Sequence, residues 1–167
     1  VEFSSAGSLV PWLSRYPHLA ILRTFSKAYG LAGARCGAVL GSVELIGLLR
    51  RMIPPYAVSV QTIESVMDAL EEERIVACRE QVLLLVAERE RMRSRLAAVP
   101  RVSRVWPSDT NFLLVESPDP GRLLDAGIAA GLLVRDVRGY PGLSRCLRIT
   151  IGSPDQNDRL LAGLEAA

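Results

Sequence analysis

The sequence predicts an α/β chain in three stretches, on three observations. Two apolar, β-branched runs of strand length flank a glycine-broken loop near the start, helical periodicity continues without interruption from Glu72 to Val99, and short strand and helix patterns alternate beyond Pro100. At 167 residues and 49% hydrophobic, a chain of this size buries about 70% of its unfolded surface. That suffices for one good core or two small ones.

The first stretch, residues 1–55, opens with a short helix near SLVPWLSRY. LAILRTF (Leu19 to Phe25) follows as a buried strand, CGAVLG (Cys36 to Gly41) as a second strand, and VELIGLLRRM (Val43 to Met52) as an amphipathic helix. Pro54 and Pro55 cannot continue that helix and mark a crossing or hinge. The second stretch, 56–99, is helical. VSVQTIESVMDAL forms one helix, and in Glu72 to Val99 the residues Ile75, Val82, Leu85, Val86, Met92 and Leu96 share one face. Glu73, Arg74, Glu80, Glu88, Arg91 and Arg95 populate the others, so the alternating charges of ERERMRSR (Glu88 to Arg95) read as a solvated helix face. Helical rise makes this segment about 40 Å long, long enough to be an inter-domain helix.

The third stretch, 100–167, reads as a small α+β C-terminal domain. VSRVWPS, NFLLVE, LLVRDV and CLRITIG carry strand patterns, GRLLDAGIAAG is a helix closed by Gly131, and PDQNDRLLAGLEAA is a terminal helix with Pro154 in its first turn. In CLRITIG, Leu147, Ile149 and Ile151 alternate with Arg148, Thr150 and Gly152, which turns Arg148 away from the apolar face. Arg135 interrupts LLVRDV in the same way. On alternation alone, ordinary polar-face arginine is the favoured reading of each.

Charge and cysteine usage narrow the function classes. A net charge of +2 offers no electrostatic footprint for nucleic acid, and no apolar run reaches membrane-spanning length. Cys36, Cys78 and Cys146 are odd in number and widely spaced without CxxC, a pattern that suits a reducing cytoplasm better than a disulfide framework or a metal site. The single histidine, His18, reads as a surface or structural residue.

Chemistry concentrates at TFSKAYGLAGAR. Lys27, the one lysine of the sequence, falls at the end of the first strand, between hydroxyls and a loop broken by Gly30 and Gly33 that ends in Arg35. Ligands sit at strand ends in α/β sheets. A lysine amine can form a Schiff base with an aldehyde, while Thr24 and Ser26 can donate to phosphate oxygens and the planar fork of Arg35 can meet two of them. A solvated lysine in a Ser/Gly loop is the plainer reading of the same residues.

TFSKAYGLAGARCG resembles the Schiff-base segment of the fold-type I pyridoxal-phosphate aminotransferases, in the form of their histidinol-phosphate branch. PPY (Pro54 to Tyr56), SDTNF (Ser108 to Phe112), LLVRDVRGYPGL (Leu132 to Leu143) and LRITIG (Leu147 to Gly152) extend the resemblance in order along nearly the whole chain. It implies pyridoxal 5'-phosphate as cofactor, with Lys27 as the Schiff-base and catalytic residue and Thr24, Ser26 and Arg35 on the cofactor phosphate. It further implies Arg135 and Arg148 on the substrate phosphate or carboxylate, with histidinol phosphate and glutamate or 2-oxoglutarate as substrates, and a homodimer. An aromatic aminotransferase or a threonine-phosphate decarboxylase would share Lys27 and Arg35 and differ in substrate contacts, and a non-catalytic interaction domain of the same ancestry is the alternative from another class. In the family the opening VEFS follows an Asp-Glu-Ala-Tyr segment. The resemblance therefore implies a C-terminal portion: residues 1–55 would be part of the large cofactor domain, and the Asp that pairs with the pyridine nitrogen would lie upstream.

Overall fold

Capping side chains and proline punctuation set the helix boundaries. In the computed structural model, which describes residues 2–166, Ser42 accepts the Leu45 N–H and starts α1 (Val43–Met52), which stops before Pro54 and Pro55. Ser59 accepts the Thr62 N–H and starts α2 (Val60–Ala69), and α3 runs from Glu72 to Ala97. Asp119, with Pro120 at the first position, opens α4 (Pro120–Ala129). A capping box between Ser153 and Gln156 opens α5 (Pro154–Glu165), both caps satisfying otherwise unpaired N–H groups. Val1 and the last residue of the expected terminal helix, Ala167, lie outside the described residues.

The chain divides into two units, Val1–Val82 and Leu83–Ala167, so the boundary falls inside α3. The first unit holds an antiparallel pair, β1 (Ile21–Thr24) with β2 (Gly37–Leu40), registered Thr24 to Gly37 and Ile21 to Leu40. A Cβ at Gly37 would come within 2.7 Å of the Arg23 carbonyl, so this close strand approach requires glycine. The expected helix near SLVPWLSRY is only a short 3-10 turn, Val10–Trp12.

LAILRTF is not the buried strand its composition predicts. Leu22 is 75% exposed, and no described residue before Glu88 is buried. An apolar strand becomes buried only when neighbours cover its faces, and among the described residues β1 has one strand partner, β2.

The second unit is an antiparallel sheet in the order β3-β4-β6-β5, built from Arg104–Val105, Phe112–Glu116, Cys146–Thr150 and Arg135–Asp136. β4 and β6 pair along their full length, Phe112 opposite Thr150 and Glu116 opposite Cys146. One sheet face supplies Leu113, Val115, Leu147 and Ile149 to a core completed by Met92 and Leu96 of α3, Leu123 of α4, and Leu160, Leu161 and Leu164 of α5. Each such side chain contributes about 1.5–3 kcal/mol by leaving water.

The ERERMRSR stretch is only partly a solvated face. Glu88 and Arg89 are buried, at 9% and 5% exposure. Glu88 accepts from Arg91 at 2.8 and 2.9 Å and from Asn157 Nδ2 at 2.8 Å, while Arg89 donates to the Thr110 carbonyl at 3.0 Å. The Arg91 guanidinium holds the Glu88 carboxyl below the usual carboxylate range. Charge alternation does not reveal which turn of a helix a neighbouring layer will cover. The α5 residue Asn157 supplies the hydrogen bond that makes burial of Glu88 tolerable.

Candidate functional site

Because β1 ends at Thr24 and β2 begins at Gly37, residues 25–36 form the loop that carries Lys27. The loop folds on its own backbone. Phe25 N–H donates to the Cys36 carbonyl at 3.4 Å, Leu31 N–H to the Phe25 carbonyl at 3.0 Å, and Gly30 N–H to the Lys27 carbonyl at 3.0 Å. Gly30 has φ +69°, the left-handed turn that glycine adopts freely. Phe25 and Tyr29 meet edge to face, 5.4 Å between ring centroids, one on each side of Lys27 in sequence.

The candidate cofactor contacts all lie on or beside this loop. The Ser26 N–H donates to Thr24 Oγ1 at 3.1 Å, and the two hydroxyl oxygens are 2.9 Å apart. Lys27 and Arg35 are exposed and Ser26 is half-buried. Arg35 has φ +51°, which costs a non-glycine residue about 1–2 kcal/mol. One of its guanidinium nitrogens donates to the Ala32 carbonyl at 2.9 Å, an anchor that leaves other N–H groups of the fork for a ligand. Paired hydroxyls and a tethered guanidinium beside one exposed amine fit the donor set that a phosphate-bearing aldehyde needs.

In the second unit, strand register makes Arg135 and Arg148 direct partners across β5 and β6. Leu147 and Ile149 face the core, so the two arginines share the opposite face. Like charges at such a pair destabilise a sheet unless an anion lies between them. Arg148 Nε is buried and has no hydrogen-bond partner among the described residues, whereas its Cζ lies 4.9 Å from the centroid of Phe112. The nearby carboxylate of Asp136 is engaged by Arg138 through bonds of 2.9 and 2.7 Å, and those bonds hold its pKa down to about 2. Asp136 is thus committed to Arg138.

Phe112 of SDTNF heads β4 (Phe112–Glu116). It lies on the arginine face, where its ring orients Arg148 by a cation–π contact. The register that pairs Phe112 with Thr150 sets that face. Asn111 accepts the Ile151 N–H through its backbone carbonyl and so extends the β4–β6 ladder.

The aminotransferase class I and II family profile matches residues 2–164. The chain belongs to the class I and II aminotransferases. A histidinol-phosphate aminotransferase of Escherichia coli O45:K1 is 42% identical over 166 residues, 99% of this chain and 47% of that relative. Among solved structures, the histidinol-phosphate aminotransferase of Sinorhizobium meliloti in complex with pyridoxal-5'-phosphate aligns at TM-score 0.75 and 28% identity, over 90% of this chain and 41% of its own. The histidinol-phosphate aminotransferase from Clostridium acetobutylicum aligns at TM-score 0.84 and 20% identity, over 99% of this chain and 50% of its own, a likeness of fold. This aminotransferase chain therefore spans about half the length of the relatives it matches. Its two-stranded β1–β2 ribbon and its four-stranded sheet are the fold-type I elements that this half contains.

Proposed function

We propose that this chain forms the lysine- and arginine-bearing half of a pyridoxal-phosphate-dependent transaminase that moves the amino group of L-histidinol phosphate to 2-oxoglutarate, in histidine biosynthesis. The observation that carries the substrate class is the cross-strand pair Arg135 and Arg148 with the orphaned Arg148 Nε, a cradle for a phosphate or carboxylate. Relatives named histidinol-phosphate aminotransferase support the choice of substrate. Residues 1–55 would belong to the large cofactor domain, 56–99 to a helical linker and 100–167 to the small domain. We place the enzyme in the cytoplasm as a homodimer.

Pyridoxal phosphate, when bound, supplies an electron sink for the negative charge that develops at the substrate α-carbon. Lys27 Nζ would hold the cofactor's aldehyde carbon and, as a free amine, would take the substrate α-proton as general base. Thr24, Ser26 and Arg35 hold the cofactor phosphate. Arg135 and Arg148 hold the distal phosphate of the amino donor, and Arg148 then accepts the carboxylate of 2-oxoglutarate. A guanidinium suits both anions because its fork meets two oxygens at once.

Assays of the full-length protein with 2-oxoglutarate test this reading. We expect kcat/KM for histidinol phosphate to exceed that for phenylalanine by about 10²-fold or more, since leaving two guanidiniums without their phosphate forfeits several kcal/mol. Comparable turnover of phenylalanine would make the protein an aromatic aminotransferase, and carbon dioxide release from threonine phosphate would make it a decarboxylase. In the same protein, Arg35→Ala should weaken pyridoxal phosphate binding by about 2–4 kcal/mol. An unchanged dissociation constant in equilibrium dialysis would remove Arg35 from the cofactor site.

A further inference from the structure

Two helix side chains reach the Lys27 loop from outside it. Thr62 of α2 donates its hydroxyl to the Ala34 carbonyl at 3.3 Å, and the Cys78 thiol of α3 donates to the Ala28 carbonyl at 3.2 Å. Ala28 directly follows Lys27, and Ala34 directly precedes Arg35. The loop is thus held beside each of its two functional residues.

Both donors are set up to donate. Ser59 caps α2 by accepting the Thr62 N–H at 3.1 Å, and its hydroxyl also donates to Thr62 Oγ1 at 3.2 Å. With that lone pair engaged, the Thr62 proton is left for the Ala34 carbonyl, and hydrogen bonds in such a chain polarise one another. Cys78 is half-buried, and burial pushes its thiol pKa up, which keeps the proton that a donor requires. The Ala34 carbonyl belongs to the peptide plane from which φ of Arg35 turns. Fixing that plane holds Arg35 at its left-handed φ of +51°, a conformation rarely adopted without support from the surroundings.

We propose that Thr62 and Cys78 are positioning residues that clamp the 25–36 loop, so that Lys27 Nζ and the Arg35 guanidinium are presented to the cofactor in a fixed geometry. This rests on the assignment of Lys27 and Arg35 made above. Neither residue touches a reacting atom; each acts through a loop carbonyl.

The test uses the full-length protein with Thr62→Val, which removes one donor at nearly constant shape, Cys78→Ala, which removes the other together with its sulfur, and Thr62→Ser and Cys78→Ser, which place a hydroxyl donor at each position. The dissociation constant for pyridoxal phosphate and the pH midpoint of the bound cofactor's visible absorbance are measured for each. We expect roughly three- to tenfold weaker binding for each donor-free variant, with a displaced midpoint and faster amide exchange across residues 27–36. The serine variants should stay within about twofold of the parent. Parent-like binding and midpoint in Thr62→Val and Cys78→Ala would overturn the clamp. Serine variants as impaired as the donor-free ones would also overturn it, because packing alone would then explain the loss. If the double variant fails to fold, the single variants decide on the same criteria. A parent protein that binds no pyridoxal phosphate at Lys27 would overturn the site assignment, and the clamp with it.

Discussion

Lys27→Ala in the full-length protein is expected to lower transamination by at least about 10³-fold, the range associated with losing a positioned general base. The loss should be larger than for any other substitution in the loop, because in the proposed mechanism Lys27 would serve twice, as the anchor of the cofactor and as the group that moves the α-proton. Cofactor affinity should fall far less, since Thr24, Ser26 and Arg35 would still hold its phosphate. The variant would therefore remain loaded while its visible absorbance shifts towards that of the free aldehyde. Borohydride reduction of the parent, followed by peptide mapping, provides the second check. Lys27 is the only lysine in this sequence, so the labelled peptide from this region is unambiguous. Label on a lysine elsewhere in the full-length protein, or an active Lys27→Ala variant, would refute the assignment.

Sequence alone made legible what depends on local periodicity and local chemistry. Helix α1 matches VELIGLLRRM residue for residue, because Ser42 caps one end and Pro54 closes the other. Alternation in CLRITIG placed Leu147, Ile149 and Ile151 in the core and Arg148 on the opposite face, as their burial shows. Position across the fold was not legible. The LLVRDV and VSRVWPS runs pair over only Arg135–Asp136 and Arg104–Val105, because strand composition does not state how far a partner extends. Burial of Glu88 depends on Asn157, 69 residues away in sequence. The contacts of Thr62 with Ala34 and of Cys78 with Ala28 depend on tertiary structure, 28 and 50 residues apart in sequence. Lys27 and Arg35 could be proposed from sequence because the chemistry that recommends them lies within one loop. The facing of Arg135 and Arg148 needed the β5–β6 register.

That register carries the second large effect. Arg148→Ala should lower kcat/KM for histidinol phosphate and for 2-oxoglutarate alike, each by about 2–5 kcal/mol, the range for losing a charge-assisted contact to a desolvated anion. Arg135→Ala should lower kcat/KM for histidinol phosphate by a similar amount and leave 2-oxoglutarate much less affected, because a carboxylate presents two oxygens that one guanidinium can satisfy whereas a phosphate presents three. The asymmetry follows from placement as well as charge. Arg148 lies on an interior strand with its Nε buried and its guanidinium stacked on Phe112, while Arg135 lies on the edge strand and is exposed. Phe112→Leu should consequently resemble a mild Arg148 variant, losing about 0.5–2 kcal/mol through misorientation of the guanidinium. Steady-state kinetics with each substrate varied separately distinguishes these outcomes. Equal losses for both substrates in Arg135→Ala would mean that the pair does not divide its work by anion. Any preference for histidinol phosphate would then have to arise outside this chain's arginine face.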